Sequence, residues 1–156
     1  MHINRYTPAF KCKVIVDVGG SVKENSCKIN ILSDDGKDSF VKEKTVVNAQ
    51  GKRYYDNNDD FMEKIASRVK EVYEKIDLSK LNDDAKRIKE IALFMPGNVF
   101  GKDLIYASNI KGKNGRGLED VDFSNIGNLL KKQGLSVKDD ADVKLFQDTL
   151  GGGMRV

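Results

Sequence analysis

The chain has 156 residues, of which 39% are hydrophobic and 33% charged, enough to bury a core as one ordinary domain. Its 27 basic and 24 acidic residues are interspersed, so the net charge of +3 gives no reason to expect a nucleic-acid partner. No apolar run approaches the roughly 18 residues of a membrane span, and His2, Asn4 and Arg5 break up any signal-peptide core at the start. The expectation is a cytoplasmic protein with neither a membrane nor a nucleic-acid partner.

Residues 12–18 read as a strand buried on both faces that runs into Gly19-Gly20-Ser21. The glycine pair lets the backbone turn sharply and approach a ligand with no Cβ in the way. Ser26-Cys27-Lys28-Ile29-Asn30-Ile31-Leu32 alternates polar and apolar, as a half-exposed strand does, and Asp34-Asp35-Gly36-Lys37 is a hairpin turn signal leading to a third strand from Phe40 to Val47. The period then changes. Phe61, Ile65, Val69, Val72 and Ile76 recur at helical spacing, with Asn58 or Asp59 as N-cap.

The apolar run Ile91-Ala92-Leu93-Phe94-Met95 is a strand that stops at Pro96-Gly97, because proline cannot continue a central ladder. Leu104-Ile105-Tyr106 is a short strand ending near Asn109, and Lys111 to Gly117 is a glycine- and lysine-rich, mobile loop. Phe123, Ile126, Leu129 and Leu130 form a second helix that Gly134 terminates. A last strand, Val143 to Phe146, runs into Gln147-Asp148.

Cys12 and Cys27 open the first two strands, and an antiparallel hairpin sets two strand starts at opposite ends, too far apart to bridge. Both are expected as reduced, buried thiols. With His2 as the single histidine, neither a zinc site nor a histidine-dependent triad can be built.

The element order is βββαβαβα, which implies an α/β fold with a mixed sheet of about five strands. First and last strands each deliver an aspartate, Asp17 and Asp148, to a strand tip. On adjacent strand ends beside Gly19-Gly20-Ser21, the two carboxylates suit phosphate, magnesium and a hydroxyl to be activated. Plainer readings stand beside these: Gly19-Gly20 as a tight turn, Asp148 as a helix N-cap, Asn109 as a turn residue, and Lys111, Lys113 and Arg116 as a solvated loop.

Four segments carry a resemblance: the strand with Asp17-Val18-Gly19-Gly20-Ser21, the strand ending in Pro96-Gly97, Ala107-Ser108-Asn109, and the strand ending in Gln147-Asp148-Thr149. Together they resemble the N-terminal domain of sugar kinases, specifically bacterial glucokinases and the ROK family. Asp148-Thr149 is also similar to eukaryotic hexokinases, and all of these belong to the actin-like ATPase superfamily. The resemblance spans residues 12–153 and implies a ribonuclease-H-like half-domain over 12–156 preceded by an extension, 1–11. It implies Gly19, Gly20 and Ser21 as phosphate ligands, Asp17 as the carboxylate for hydrated magnesium and Asp148 as general base. Asn109 and Gln147 would be sugar ligands, and Pro96 and Gly97 the floor of the sugar pocket.

The implied substrate is a hexose and the implied cofactors are ATP and magnesium. The family's C-terminal nucleotide-binding domain has no counterpart in these 156 residues, so the isolated chain is expected to be inactive, with homo-oligomerisation left open. Gln147 stands where the family has Asn, Ser21 where it has Thr, and Gly151-Gly152-Gly153 where it begins a helix. The alternative is a non-catalytic sugar-binding or interaction module derived from such a kinase.

Overall fold

The computed structural model describes residues 11–18, 26–34, 39–48, 55–76, 79 and 83–147. The strands β1 (Lys11–Val18), β2 (Ser26–Asp34) and β3 (Ser39–Asn48) form an antiparallel meander. On the other side of β1 come β4 (Ile88–Met95) and β8 (Val137–Gln147), both parallel to it, in the order β3-β2-β1-β4-β8. Parallel neighbours need long crossovers. The helix α1 (Asn58–Glu74) and the short α2 (Asp83–Lys86) carry the chain from β3 to β4. A second antiparallel sheet, β5 (Asn98–Phe100), β6 (Asp103–Lys111) and β7 (Gly117–Asp122), followed by α3 (Ile126–Lys132), carries it from β4 to β8. The mixed five-stranded sheet with helices therefore agrees with the sequence reading, whereas the excursion after β4 is a whole sheet instead of one short strand.

Burial along β1 alternates, contrary to the expectation of two buried faces. Cys12, Val14 and Val16 are fully buried and Val18 nearly so, while Lys13, Ile15 and Asp17 on the opposite face are half-exposed. The covered face continues through Ile29, Ile31, Ile91, Leu93, Val143 and Leu145 and joins one core with Phe61, Ile65, Val69 and Val72 of α1 and Ile126 and Leu130 of α3. An edge-to-face aromatic chain closes one end of that core: Tyr55 to Phe61 at 4.9 Å and Phe61 to Phe123 at 6.0 Å between ring centroids.

The N-cap of α1 is Asn57, one residue before the expected Asn58. Its extended backbone lets Oδ1 accept the Asp60 N–H at 2.8 Å, and the Asp60 carboxylate in turn accepts the Asp56 N–H at 2.8 Å. Asp59 and Asp60 in the first turn complement the helix dipole. Phe123 precedes α3 and is buried under it, outside the helix. Gly134, at φ +95°, ends that helix in the left-handed conformation that a side chain resists, as expected.

Residues 111–117 form a closed hairpin turn in place of the expected mobile loop: Gly112 N–H donates to Arg116 O at 2.7 Å and Gly115 N–H to Gly112 O at 2.9 Å. β8 begins at Val137, well before Val143. Val137 pairs with Ile88 and Asp142 with Glu90, so Lys138-Asp139-Asp140-Ala141 bulges out opposite one residue of β4. In the β1/β2 register Cys12 faces Ser33 and Cys27 faces Val18, which separates the two cysteines by about 20 Å at ~3.3 Å per residue. Cys12 is a buried free thiol, and the Cys27 side chain lies outside what is described. His2 and the turn residues 35–38 also lie outside the described residues. No helix among the described residues is long and apolar enough to cross a membrane.

Candidate functional site

Because β1, β4 and β8 are parallel, their C-terminal ends reach the same edge of the sheet. Asp17 lies opposite Phe94, Phe94 opposite Phe146, and Met95 opposite Gln147. The chain leaves β4 at that edge through Pro96-Gly97. Asp17, Pro96, Gly97 and Gln147 thus share one sheet edge. The expectation of adjacent tips for the first and last strands is corrected: β4 stands between β1 and β8. At ~4.8 Å per strand, the rows through Asp17 and Phe146 are about 10 Å apart. Gly19, Gly20, Ser21 and Asp148 lie outside the described residues.

Residues i and i+2 of a strand share a face, so Lys13, Ile15 and Asp17 of β1 line up with Glu90, Ala92 and Phe94 of β4 and with Asp142, Lys144 and Phe146 of β8. Glu90 bridges its neighbours, 3.2 Å from Lys13 Nζ and 3.8 Å from Lys144 Nζ, and Lys144 also sits 3.5 Å from Asp142. Nearer the strand ends Phe94 and Phe146 stack at 4.9 Å, with Phe146 41% exposed. Among the described residues no group of three or more acidic, histidine or cysteine side chains forms a ready metal cage. A magnesium ion asks for less, one or two carboxylates plus water and substrate phosphate, and a strand-end carboxylate such as that of Asp17 is of the kind it takes.

Asn109 lies on β6 of the second sheet. β6 pairs with β5 through Asn98 and Tyr106 and with β7 through Ala107 and Leu118, and its register against β7 then slips until Lys111 meets Gly117. Ser108, Asn109 and Ile110 are consequently a bulge, with Ile110 buried, Asn109 half-buried and Ser108 exposed. The hairpin that carries the bulge is tied to the start of α1: Tyr55 N–H donates to Lys111 O at 2.9 Å, and Asn58 Nδ2 donates to Glu119 O at 3.0 Å and Asp120 O at 3.3 Å. Sequence reasoning offered Asn58 as a cap and folded Gly117 into a loop. The Asn pair before an acidic turn is a signal for one cap plus one further hydrogen-bonding side chain, whereas nothing local marks Gly117.

An open cavity of about 780 Å³ lies elsewhere, between the start of α1 (Asn57, Asn58, Asp59) and the β6/β7 turn (Lys113, Arg116). None of the site residues expected from sequence lines it. We place the candidate site at the sheet edge nonetheless, because that is where strand ends and turns gather chemically capable groups, and the groove carries mixed, solvated charges.

By sequence, no family model and no curated protein matches the chain. By structure it is similar to a hexokinase from Schistosoma mansoni complexed with glucose, with a TM-score of 0.61 and 12% identity over 93% of this chain. The match covers 31% of the hexokinase, so the chain spans about a third of that protein's length. A PPX-GPPA enzyme from Aquifex aeolicus matches 87% of this chain and 36% of its own at 16% identity, with a TM-score of 0.35 that carries no weight. At 12% identity the hexokinase likeness shows the fold. It does not single out the bacterial glucokinase and ROK group.

Proposed function

From a hexokinase-like fold, we propose that this chain is the sugar-binding, catalytic-base half of an ATP-dependent hexose kinase, with its motifs pointing to the bacterial glucokinase and ROK type. The observation that carries the reading is the parallel trio β1, β4 and β8. It brings Asp17, Pro96-Gly97 and Gln147, the residue directly before Asp148, to one edge. The span of about 10 Å between the outer rows suits a transferring phosphoryl group and the hydroxyl that attacks it.

On this reading the sugar hydroxyl oxygen bonds to the γ-phosphorus of ATP, the bond from that phosphorus to the β-phosphate bridging oxygen breaks, and ADP leaves. Asp148 takes the hydroxyl proton. Asn109 and Gln147 hydrogen-bond neighbouring sugar hydroxyls and fix which one faces the phosphorus, and Pro96-Gly97 closes the pocket floor. Backbone N–H groups of Gly19, Gly20 and Ser21 hold phosphate oxygens. Asp17 would hold hydrated magnesium, which when bound offsets phosphate charge. The stacked and partly exposed Phe94–Phe146 pair at this edge favours a half that packs against another domain over a self-contained binding module.

The test uses the chain joined to, or reconstituted with, a nucleotide-binding half. Asp148→Asn keeps shape and hydrogen-bonding reach but loses the proton acceptor, so turnover should fall by ~10² or more with sugar affinity changed only modestly. Asparagine caps a helix as well as aspartate does, so near-wild-type turnover would defeat the mechanism. Gln147→Asn should alter apparent sugar affinity more than turnover. Residues 1–156 alone should phosphorylate no hexose measurably, since half a site positions half the reactants.

A further inference from the structure

We propose that Gly97 and Gly117 are positioning residues that grip β6 from both sides and thereby place Asn109 for its sugar contact. The ligand's identity rests on the kinase reading above; the grip rests on geometry alone. Neither glycine has a positive φ, so backbone conformation does not demand them. Space does. A Cβ on Gly97 would stand 2.3 Å from Tyr106 O and 2.8 Å from Ala107 Cα, and a Cβ on Gly117 would stand 2.3 Å from Ala107 O and 2.8 Å from Ser108 Cα. All four obstructing atoms are backbone, so no side chain can swing away and the strand itself must shift.

The two contacts come from opposite sides, since β6 lies between β5 and β7. They converge on Ala107, fully buried, at the residue where the bulge begins. The far end of the bulge is held at Lys111, whose carbonyl accepts the Tyr55 N–H at 2.9 Å. Between these fixed points lie Ser108, Asn109 and Ile110, with Ile110 anchored in the core at 2% exposure. Asn109 sits at the middle of this short span, so displacement of Ala107 is passed directly to it.

The experiment follows glucose titrations of the ¹⁵N-labelled full chain by amide shifts, for wild type, Gly97→Ala and Gly117→Ala. Gly127→Ala serves as control, because its Cβ would meet only Val137 Cγ1 at 3.8 Å. Both grip variants should move the ligand-free amides of Ser108 to Lys111, leave those of Val14, Val16, Ile91 and Leu93 in place, and weaken glucose binding by about tenfold or more, as expected when a contact is misplaced by a fraction of an ångström. Gly127→Ala should change neither. Ala107→Gly adds no atoms and so creates no clash; loosening the gripped strand, it should speed amide exchange at Ser108 to Ile110 and weaken glucose severalfold. Unmoved amides at 108–111 in the grip variants, unaccelerated exchange in Ala107→Gly, or moved amides with wild-type affinity would overturn the proposal. A wild type that shows no glucose-induced shift anywhere would instead remove the glucose-binding role given to this half, and the free-state amides would still decide the grip.

Discussion

The two faces of the five-stranded sheet are built from alternate residues of the same strands, yet they do different work. The helix-covered face is apolar without exception among Val14, Val16, Ile29, Ile31, Ile91, Leu93, Val143 and Leu145. The other face carries the Lys13–Glu90–Lys144–Asp142 ion-pair chain, the Phe94–Phe146 stack and Asp17. One face specifies the fold through burial, and the other is free to carry charge and chemistry because little of the stability depends on it. Substitutions one position apart in a strand should therefore differ severalfold in cost.

The sharpest break of that comparison is Leu93→Ala, fully buried, which should lose ~2–5 kcal/mol in denaturant unfolding. Next comes alkaline pH, which acts on the covered side. Burial pushes the Cys12 thiol from 9.0 up to about 12, opposed in part by Lys89. Burial, then nearby Cys12, pushes the Tyr73 phenol from 10.0 to about 12. Both groups are held neutral in the fold, so their contribution is complete below pH 9.0 and is lost as pH rises toward about 12. The limb should steepen by up to ~1.4 kcal/mol per pH unit from the fully buried Cys12, and by less from the half-exposed Tyr73, whose charge water screens. Urea midpoints on either side of pH 9.0 measure it, and Cys12→Ala should flatten the limb.

On the open face Phe146→Ala should cost only about 1 kcal/mol, since the ring is 41% exposed and loses chiefly its stacking partner. Smallest of all, Glu90→Gln should change stability by less than about 1 kcal/mol despite severing two ion pairs, because both lysines are part-exposed and water screens them, and glutamine keeps the shape and hydrogen-bonding reach of Glu90. A Glu90 effect rivalling that of Leu93 would show that the open face is structural after all.

Much of this division is written in the chain. In Lys11-Cys12-Lys13-Val14-Ile15-Val16-Asp17-Val18 only Ile15 breaks a strict alternation, and reading it as evidence for two buried faces gave one apolar residue more weight than Lys13 and Asp17. The α1 pattern, the stop at Pro96-Gly97 and the role of Gly134 are local properties and were legible. The N-cap slipped by one because Asn57, Asn58 and Asp59 are chemically equivalent candidates. The small sheet was hidden because Gly117-Leu118-Glu119-Asp120-Val121-Asp122 is acidic and poor in β-branched residues, so pairing with β6 decides its conformation. That β4 separates β1 from β8 is a fact of strand order, which no local pattern encodes. The need for glycine at 97 and 117 likewise arises from approach through space.

The parallel trio also dictates when the molecule can become whole. Val14 pairs with Ile91 and Ile91 with Val143, so the sheet is stitched from segments far apart along the polypeptide. During synthesis the β1–β3 meander can pair as soon as it leaves the ribosome. β4 emerges with one side matched and the other bare, and stays so until β8 is made. In that interval its open edge, with Phe94 beside it, is a template for pairing with another nascent chain. Refolding should accordingly be slow, on the order of milliseconds to seconds, and losses to aggregation should rise with protein concentration.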